Sequence, residues 1–296
     1  MSGDWLKFKT AAAILLVLSL AVLPGCSLLR IGYGQLDNFA AWTADEYFDL
    51  EPEQRREFLA RFERLHEWHR YQQLPDYAAF FSETRSRVQK GLSRDDVLWV
   101  VEGARERYRV ILRRGADDAA ALLLTITPAQ LAALQRQWDK VNSRFVREYR
   151  LDQDTEAQRR ERGRRVLSRI RDWVGHLDGA QEQKILALAK DMPLIHGLRH
   201  KDRIRRQREF LRLMAQRDAP DFAARLRHWL LNWEEGRDPA YHRLFQEWEQ
   251  RQADFYLAVY RSLLPHQRAA LADRLQSYVS DFTRLARRPE AQAASR

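Results

Sequence analysis

The chain reads as an all-α protein, a multi-helix bundle of about nine or ten amphipathic helices arranged as two related halves. Three features lead there. Apolar residues recur at steps of three and four, which lines them along one face of a helix. Prolines stand where helices would start, a position at which the missing N–H costs nothing. Strand signals are lacking: there is no alternating Val/Ile/Thr run and no Asn-Gly hairpin.

At the N-terminus, Lys7 and Lys9 precede a mainly apolar run at residues 11–23. That run is shorter than the roughly 20 residues a membrane span needs and suits a signal peptide, here residues 1–25. A short linker, 26–36, follows. From there on the chain is patterned as helix. Pro52, Pro75, Pro128, Pro193, Pro220, Pro239 and Pro265 mark helix starts, Ser93 with Asp96 forms a capping pair, and Gly91, Gly115, Gly179 and Gly236 mark turns. After Pro128, the residues Leu131, Leu134, Trp138, Val141, Phe145 and Tyr149 share one stripe. Phe245, Trp248, Phe255 and Val259 share another after Pro239, and Leu271, Leu275, Tyr278, Phe282 and Leu285 a third after Pro265. The expected organisation is a helical half at 37–150, a polar link or exposed helix at 151–165, a second half at 166–288 and a disordered tail at 289–296.

The halves rest on an internal repeat. Residues 126–134, ITPAQLAAL, align without a gap to residues 263–271, LLPHQRAAL, and residues 50–54, LEPEQ, align more weakly to residues 177–181, LDGAQ. Each copy keeps an apolar residue and a glutamine four positions later: Leu50 and Gln54, Ile126 and Gln130, Leu177 and Gln181, Leu263 and Gln267. The apolar residue packs down at a turn. The glutamine sits at the third helical position, where its side chain reaches back to the N-cap N–H. Thr127 supplies a capping hydroxyl and Asp178 a capping carboxylate, whereas Glu51 and Leu264 depart from that pattern.

Composition narrows the function. Cys26 is the only cysteine, so no disulfide and no cysteine metal site or nucleophile is available within the chain. The formal net charge is +10, with most of the 51 basic residues arginine. In a cytoplasmic chain that balance would point to nucleic acid. In an exported one the polyanions to consider are lipid headgroups, lipopolysaccharide and acidic protein segments. The plainer alternative is arginine spread over solvated helix faces.

Three resemblances follow from these residues. Leu23-Pro24-Gly25-Cys26 resembles the lipobox of bacterial lipoproteins, which implies cleavage between Gly25 and Cys26 and acylation of Cys26. Ser27, rather than aspartate, then implies sorting to the outer membrane, and the expected location is its periplasmic face. The repeated turn is similar to the LTxxQ motif of periplasmic stress chaperones of the Spy and CpxP type, most closely at residues 126–130. Over nearly the whole chain, the Cys26-Ser-Leu-Leu-Arg start, Tyr33, the Trp42–Tyr47–Asp49 segment, Leu65-His66-Glu67-Trp68-His69-Arg70 and Leu74-Pro75 look like a family of proteobacterial envelope lipoproteins of unknown function. That resemblance implies a lipid anchor and a helical body, and brings no catalytic residues.

Possible binding constellations are few. His66, Trp68, His69 and Arg70 form the densest one, with Glu63 one turn away. A carboxylate with two imidazoles can ligate zinc, but the HEWH spacing is one residue short of the zincin signature. The residues fit better as interhelical hydrogen-bond partners near a loop at 72–75. His196 and His200 are four apart and would share a face. Trp229 and Trp233, beside Arg225, Arg227 and His228, fit a core or else a groove of rings and guanidinium groups suited to non-native or acidic chains. No strained serine turn and no glycine-rich phosphate loop is present. The expectation is therefore a lipid-anchored interaction protein of the cell envelope, chaperone-like or scaffold-like, with no catalysis, metal or cofactor. Its partner would be an envelope protein or a non-native polypeptide. The alternatives are an arginine-rich tether for anionic lipid or lipopolysaccharide, using clusters such as Arg159 to Arg165 and Arg203 to Arg208, and a metal-dependent hydrolase at His66 and His69.

Overall fold

The computed structural model describes residues 26–288. The expected signal peptide at 1–25, its cleavage position at Gly25 and the tail at 289–296 lie outside them. Among the described residues there is helix and no strand: α1 (Cys26–Gly34), α2 (Leu36–Phe48), α3 (Pro52–Trp68), a π turn (His69–Gln73), α4 (Leu74–Lys90), α5 (Arg94–Leu124), α6 (Pro128–Glu148), α7 (Thr155–Val174), α8 (Gly179–Lys190), α9 (His196–Ala215), α10 (Phe222–Leu231), α11 (Pro239–Ser262) and α12 (Pro265–Leu285). The all-α expectation holds. Pro52, Pro128, Pro239 and Pro265 each open a helix, and the Ser93 N–H donates to Asp96 Oδ2 at 2.9 Å while the Asp96 N–H donates to Ser93 Oγ at 3.1 Å.

Three local expectations need correction. Residues 72–75 are not a loop. The helix widens into the π turn, where the Leu74 N–H reaches the His69 carbonyl, and continues as α4. Pro75 explains the widening: it has no N–H to give, and its ring would crowd the carbonyl four residues back in an α-helix. Gly115 marks no turn but lies inside the 31-residue α5, where Leu112 and Ala116 are buried on either side of it. Residues 26–36 are largely helical, because Leu29, Tyr33 and Leu36, at steps of four and three, form a buried stripe.

The chain divides into two compact units, neither of them a consecutive stretch. Of the described residues, unit 1 takes those up to Phe81, then Ala121–Val141 and those from Ser277 onward; unit 2 takes Ser82–Ala120 and Asn142–Gln276. The boundaries fall inside α4, α5, α6 and α12, so the consecutive halves suggested by the repeat are not how the packing partitions. In unit 1, Leu29, Tyr33, Leu74, Tyr77, Phe80, Ile126, Leu134 and Phe282 are buried. Phe81 meets Phe282 and Tyr278 edge-on at centroid separations of 5.3 and 5.5 Å, the geometry that brings a positive ring edge to a negative face.

Unit 2 buries Ile170, Val174, Leu177, Ile185, Ile195, Met214, Leu226 and Leu263. Each such aliphatic side chain contributes about 2 kcal/mol on burial. Helix α7 starts at Asp154, whose carboxylate accepts from the Ala157 N–H at 2.7 Å, and ends at Gly175, where φ of 80° favours glycine. Within α7, Gly163 sits where an added Cβ would lie 2.7 Å from Leu186 Cδ2, so its missing side chain lets α7 and α8 approach closely. Glu161 and Gly163 are buried, so this helix is not exposed along its whole polar face.

Candidate functional site

The repeated glutamines meet in pairs, one pair in each unit. In unit 2 the Gln181 Nε2 donates to Gln267 Oε1 at 2.8 Å and the Gln267 Nε2 donates back to Gln181 Oε1 at 3.0 Å. Each Oε1 also accepts from the N–H at the start of its own helix, Asp178 at 3.1 Å and Leu264 at 2.9 Å. Each Nε2 also donates to the carbonyl just before the other turn's apolar residue, Ser262 at 2.9 Å and His176 at 2.6 Å. Unit 1 repeats the arrangement with Gln54 and Gln130. Their Oε1 atoms accept from Glu51 and Thr127 N–H groups at 3.0 and 2.9 Å, and their Nε2 atoms reach the Thr125 and Asp49 carbonyls at 2.8 and 3.0 Å. The four apolar partners, Leu50, Ile126, Leu177 and Leu263, are all buried. A Gln amide has two donors and two strong acceptor positions, and each of these is filled. The motif therefore clamps two helix starts together and offers no free group to a ligand.

The His66 cluster lies wholly in unit 1. His66 Nδ1 pairs with Asp37 Oδ1 at 2.9 Å, and His69 Nδ1 with the Tyr33 hydroxyl at 2.9 Å, so the two imidazoles fasten α2 and α1 respectively. Burial first, and His66 second, push the His69 pKa down to about 4. Burial pushes Tyr33 well above the ordinary phenol range. The Arg70 Nε donates to the Leu285 carbonyl at 2.8 Å, satisfying one of the orphan acceptors at the end of α12. Trp68 is half-buried and meets His69 edge-on. No group of three or more His, Cys, Asp and Glu side chains among the described residues is arranged to hold a metal ion.

In unit 2, Trp229 and Trp233 are half-buried and each is faced by arginine. The Arg206 guanidinium lies 3.9 Å from the centroid of the Trp229 ring and donates to the Trp229 carbonyl at 2.6 Å. Burial pushes the Arg206 pKa down to about 10. Arg109 lies 5.3 Å from the Trp233 ring, which Tyr108 meets edge-on. Rings and guanidinium groups do come together, but Arg206 covers the Trp229 ring that would have lined a groove. Arg205 is likewise occupied, pairing with Asp202 and Glu209.

Sequence reasoning did not find a cavity that gathers charge. It lies in unit 2, has a volume of about 180 Å³, and is lined from α7, α8 and its C-terminal turn, the start of α9, and α11. Arg162, Arg165, Arg169 and Arg199 line it against a single carboxylate, Glu161. His196, which opens α9, stacks on Tyr149 with centroids 4.0 Å apart, and Arg165 lies 4.7 Å from the same tyrosine ring. Burial pushes the His196 pKa down to about 3, and Arg199, Arg162, Arg165 and Arg169 add to the effect. His200, one turn on, stacks on Phe145, so the His196–His200 pair serves aromatic packing.

No helix of the described residues is long and apolar enough to cross a membrane. No curated protein and no solved structure matches the chain. A match over residues 46–242, more than half of the 296, places the chain in the family of unknown function DUF6279, to which it belongs.

Proposed function

We propose that this chain is a lipid-anchored protein of the bacterial outer membrane, facing the periplasm, that binds a partner and catalyses nothing. The observation that carries the reading is Leu23-Pro24-Gly25-Cys26 following a charged and then apolar N-terminus. Each buried acyl methylene contributes about 0.8 kcal/mol, so the two or three chains of a lipoprotein hold it stably to a bilayer. The start of the folded body supports the same reading. Cys26 opens α1, and Leu29 less than one turn later is buried in unit 1, so an anchor on Cys26 would hold the body close to the bilayer. The partner is an envelope protein or a non-native polypeptide, met in a chaperone-like or scaffold-like way.

The test has two parts. Radiolabelled palmitate fed to expressing cells enters the wild-type chain and not Cys26→Ala; no label in wild type ends the lipoprotein reading. Purified full-length protein then captures a partner from envelope extract or slows aggregation of a denatured client. Failure of both removes the interaction role while leaving the anchor.

The broad tether reading, with Arg159 to Arg165 and Arg203 to Arg208 all facing anionic lipid, has less support. Arg164 and Arg165 pair with Glu161, Arg205 with Asp202 and Glu209, and Arg206 is held on Trp229. The hydrolase reading has less support too, since no group of three or more His, Cys, Asp and Glu side chains among the described residues could hold a metal ion.

A further inference from the structure

We propose that the unit 2 cavity lined by Arg162, Arg169 and Arg199 binds a phosphate monoester carried on a small apolar or aromatic group. The inference is independent of the lipid anchor.

The charge inventory comes first. Of the four arginines that line the cavity, Arg165 is neutralised by Glu148 and Glu161 at 2.7 and 2.8 Å. The others have no carboxylate partner. Arg162 donates to two main-chain carbonyls, Pro193 at 3.0 Å and Lys190 at 3.3 Å. Neither the Arg169 nor the Arg199 guanidinium has a hydrogen bond or ion pair among the described residues. Three unneutralised guanidinium groups around one small cavity are mutually repulsive, and the effect reaches His196, whose charged form all four arginines disfavour. A bound dianion attracts each of these cations and so offsets their mutual repulsion.

Unpartnered atoms point the same way. Arg162 Nε and His196 Nδ1 are buried with no hydrogen-bond partner. A buried polar atom left unmatched forfeits its hydration with no hydrogen bond in return, so native proteins seldom keep two in one place without something to meet them. An anion seated beside Arg162 offers acceptor oxygens to the first and, with the imidazole proton on Nδ1, to the second.

The remainder of the wall sets the ligand's other half. Met192, Leu194, Trp248 and Phe255 present apolar surface to the same space. At about 30 Å³ per water, the cavity holds roughly six waters. That exceeds what a bare phosphate fills and leaves room for a ring or short chain. The guanidinium fork matches either a phosphate or a carboxylate, and phosphate is favoured because a dianion, not a monoanion, answers three unpaired cations.

Calorimetric titration of the full-length chain in uncharged detergent, at about pH 7.5 where a phosphate monoester is mostly dianionic, tests this. The probes are phenyl phosphate, dihexanoyl phosphatidic acid, inorganic phosphate and benzoate. Phenyl phosphate or the short-chain lipid binds at least tenfold more tightly than inorganic phosphate or benzoate. The double variant Arg169→Gln/Arg199→Gln loses at least tenfold. Arg160→Gln, an exposed change on α7 outside the cavity, does not. Arg169 and Arg199 are exposed and hold no partner, so their removal leaves the helical circular dichroism unchanged. Tighter binding of the lipid assigns the source as a headgroup, and tighter binding of phenyl phosphate assigns a free phosphorylated compound; either supports the site. Absence of heat with every probe overturns it. So does equal affinity in the double variant, an equal loss in Arg160→Gln, or benzoate binding as well as phenyl phosphate.

Discussion

Gln181 and Gln267, 86 positions apart, exchange side-chain amide hydrogen bonds at 2.8 and 3.0 Å, each also reaching the main chain of the other's turn. Gln54 and Gln130 do the same in unit 1. The relationship accounts for a choice that capping alone leaves open. A capping box accepts Glu or Gln at its third position. Glutamate would cap each helix but has no N–H to donate across to the facing turn. All four copies are glutamine because each must serve as both acceptor and donor.

Gln267→Glu therefore destabilises the protein more than loss of one cap would. The carboxylate meets the Gln181 Oε1 and the His176 carbonyl with no proton to offer, in a site only 2 % exposed. The expected loss at neutral pH is about 3 kcal/mol or more. Because burial raises the introduced carboxyl's pKa above its unfolded value, the penalty relative to wild type shrinks as pH falls through that raised pKa. Urea unfolding of both proteins at several pH values reads the difference. A penalty independent of pH would show that the introduced carboxyl stays ionised throughout.

Acid destabilises the wild-type fold through two buried imidazoles. His69 is held down to about 4 and His196 to about 3, against 6.5 when unfolded. Between those values and 6.5 the unfolded chain binds more protons, so stability rises with pH across the window. It is fully present above pH 6.5 and lost as pH falls toward 4 and then 3. The depression at His69 corresponds to about 3 kcal/mol. His69→Phe keeps a ring against Tyr77 but strands the Tyr33 hydroxyl. It is less stable than wild type at neutral pH, and its stability falls less steeply between about pH 6 and 4. An equally steep fall would locate the titration elsewhere.

Much of this was legible in the chain because it depends on neighbours. Pro128 and Pro265 mark helix starts, and the Leu131-to-Tyr149 stripe needs only periodicity. The glutamine turns were visible as a repeat, but their pairing was not, since Gln54 meets a residue 76 positions away. The wording of the repeat did contain a clue: four glutamines at a position that tolerates glutamate. The widened turn before Pro75 looked like a loop because proline stops an α-helix, and only packing shows that a π turn lets the rod continue. The unit 2 cavity was hidden for a different reason. Arg162 and Arg165 stood within a noted run, but Arg169, Arg199 and Trp248 come from three helices and share no pattern that spacing could reveal.

Arg206 is expected to keep Trp229 covered. Its guanidinium lies over the ring, 3.9 Å from the centroid, while bonding the tryptophan's own carbonyl. Lysine cannot do both, so Arg206→Lys costs about 1–2 kcal/mol, and Arg206→Ala costs more because the stem's packing is lost as well. In Arg206→Ala, newly exposed indole raises binding of an environment-sensitive apolar dye at neutral pH. Unchanged dye binding would mean the ring is screened by other groups, such as Phe210, 5.4 Å away between centroids.

Glu161 is expected to have opposite effects on stability and on anion binding. It is only 8 % exposed and is the cavity's one carboxylate, pairing with Arg164 and, at 2.8 Å, with Arg165. Glu161→Gln leaves Arg165 with Glu148 alone, at 2.7 Å, and lowers stability by about 2 kcal/mol, since a half-buried guanidinium loses one of its two carboxylate partners. The same change removes the negative charge that opposes an incoming phosphate. Phenyl phosphate should then bind several-fold more tightly to the variant, with a steeper dependence on salt, even though the fold that holds it is weaker. Unfolding and calorimetry on one sample separate the two effects. Reduced affinity together with reduced stability would mean that Glu161 orders the arginines, and that its positional role outweighs its charge.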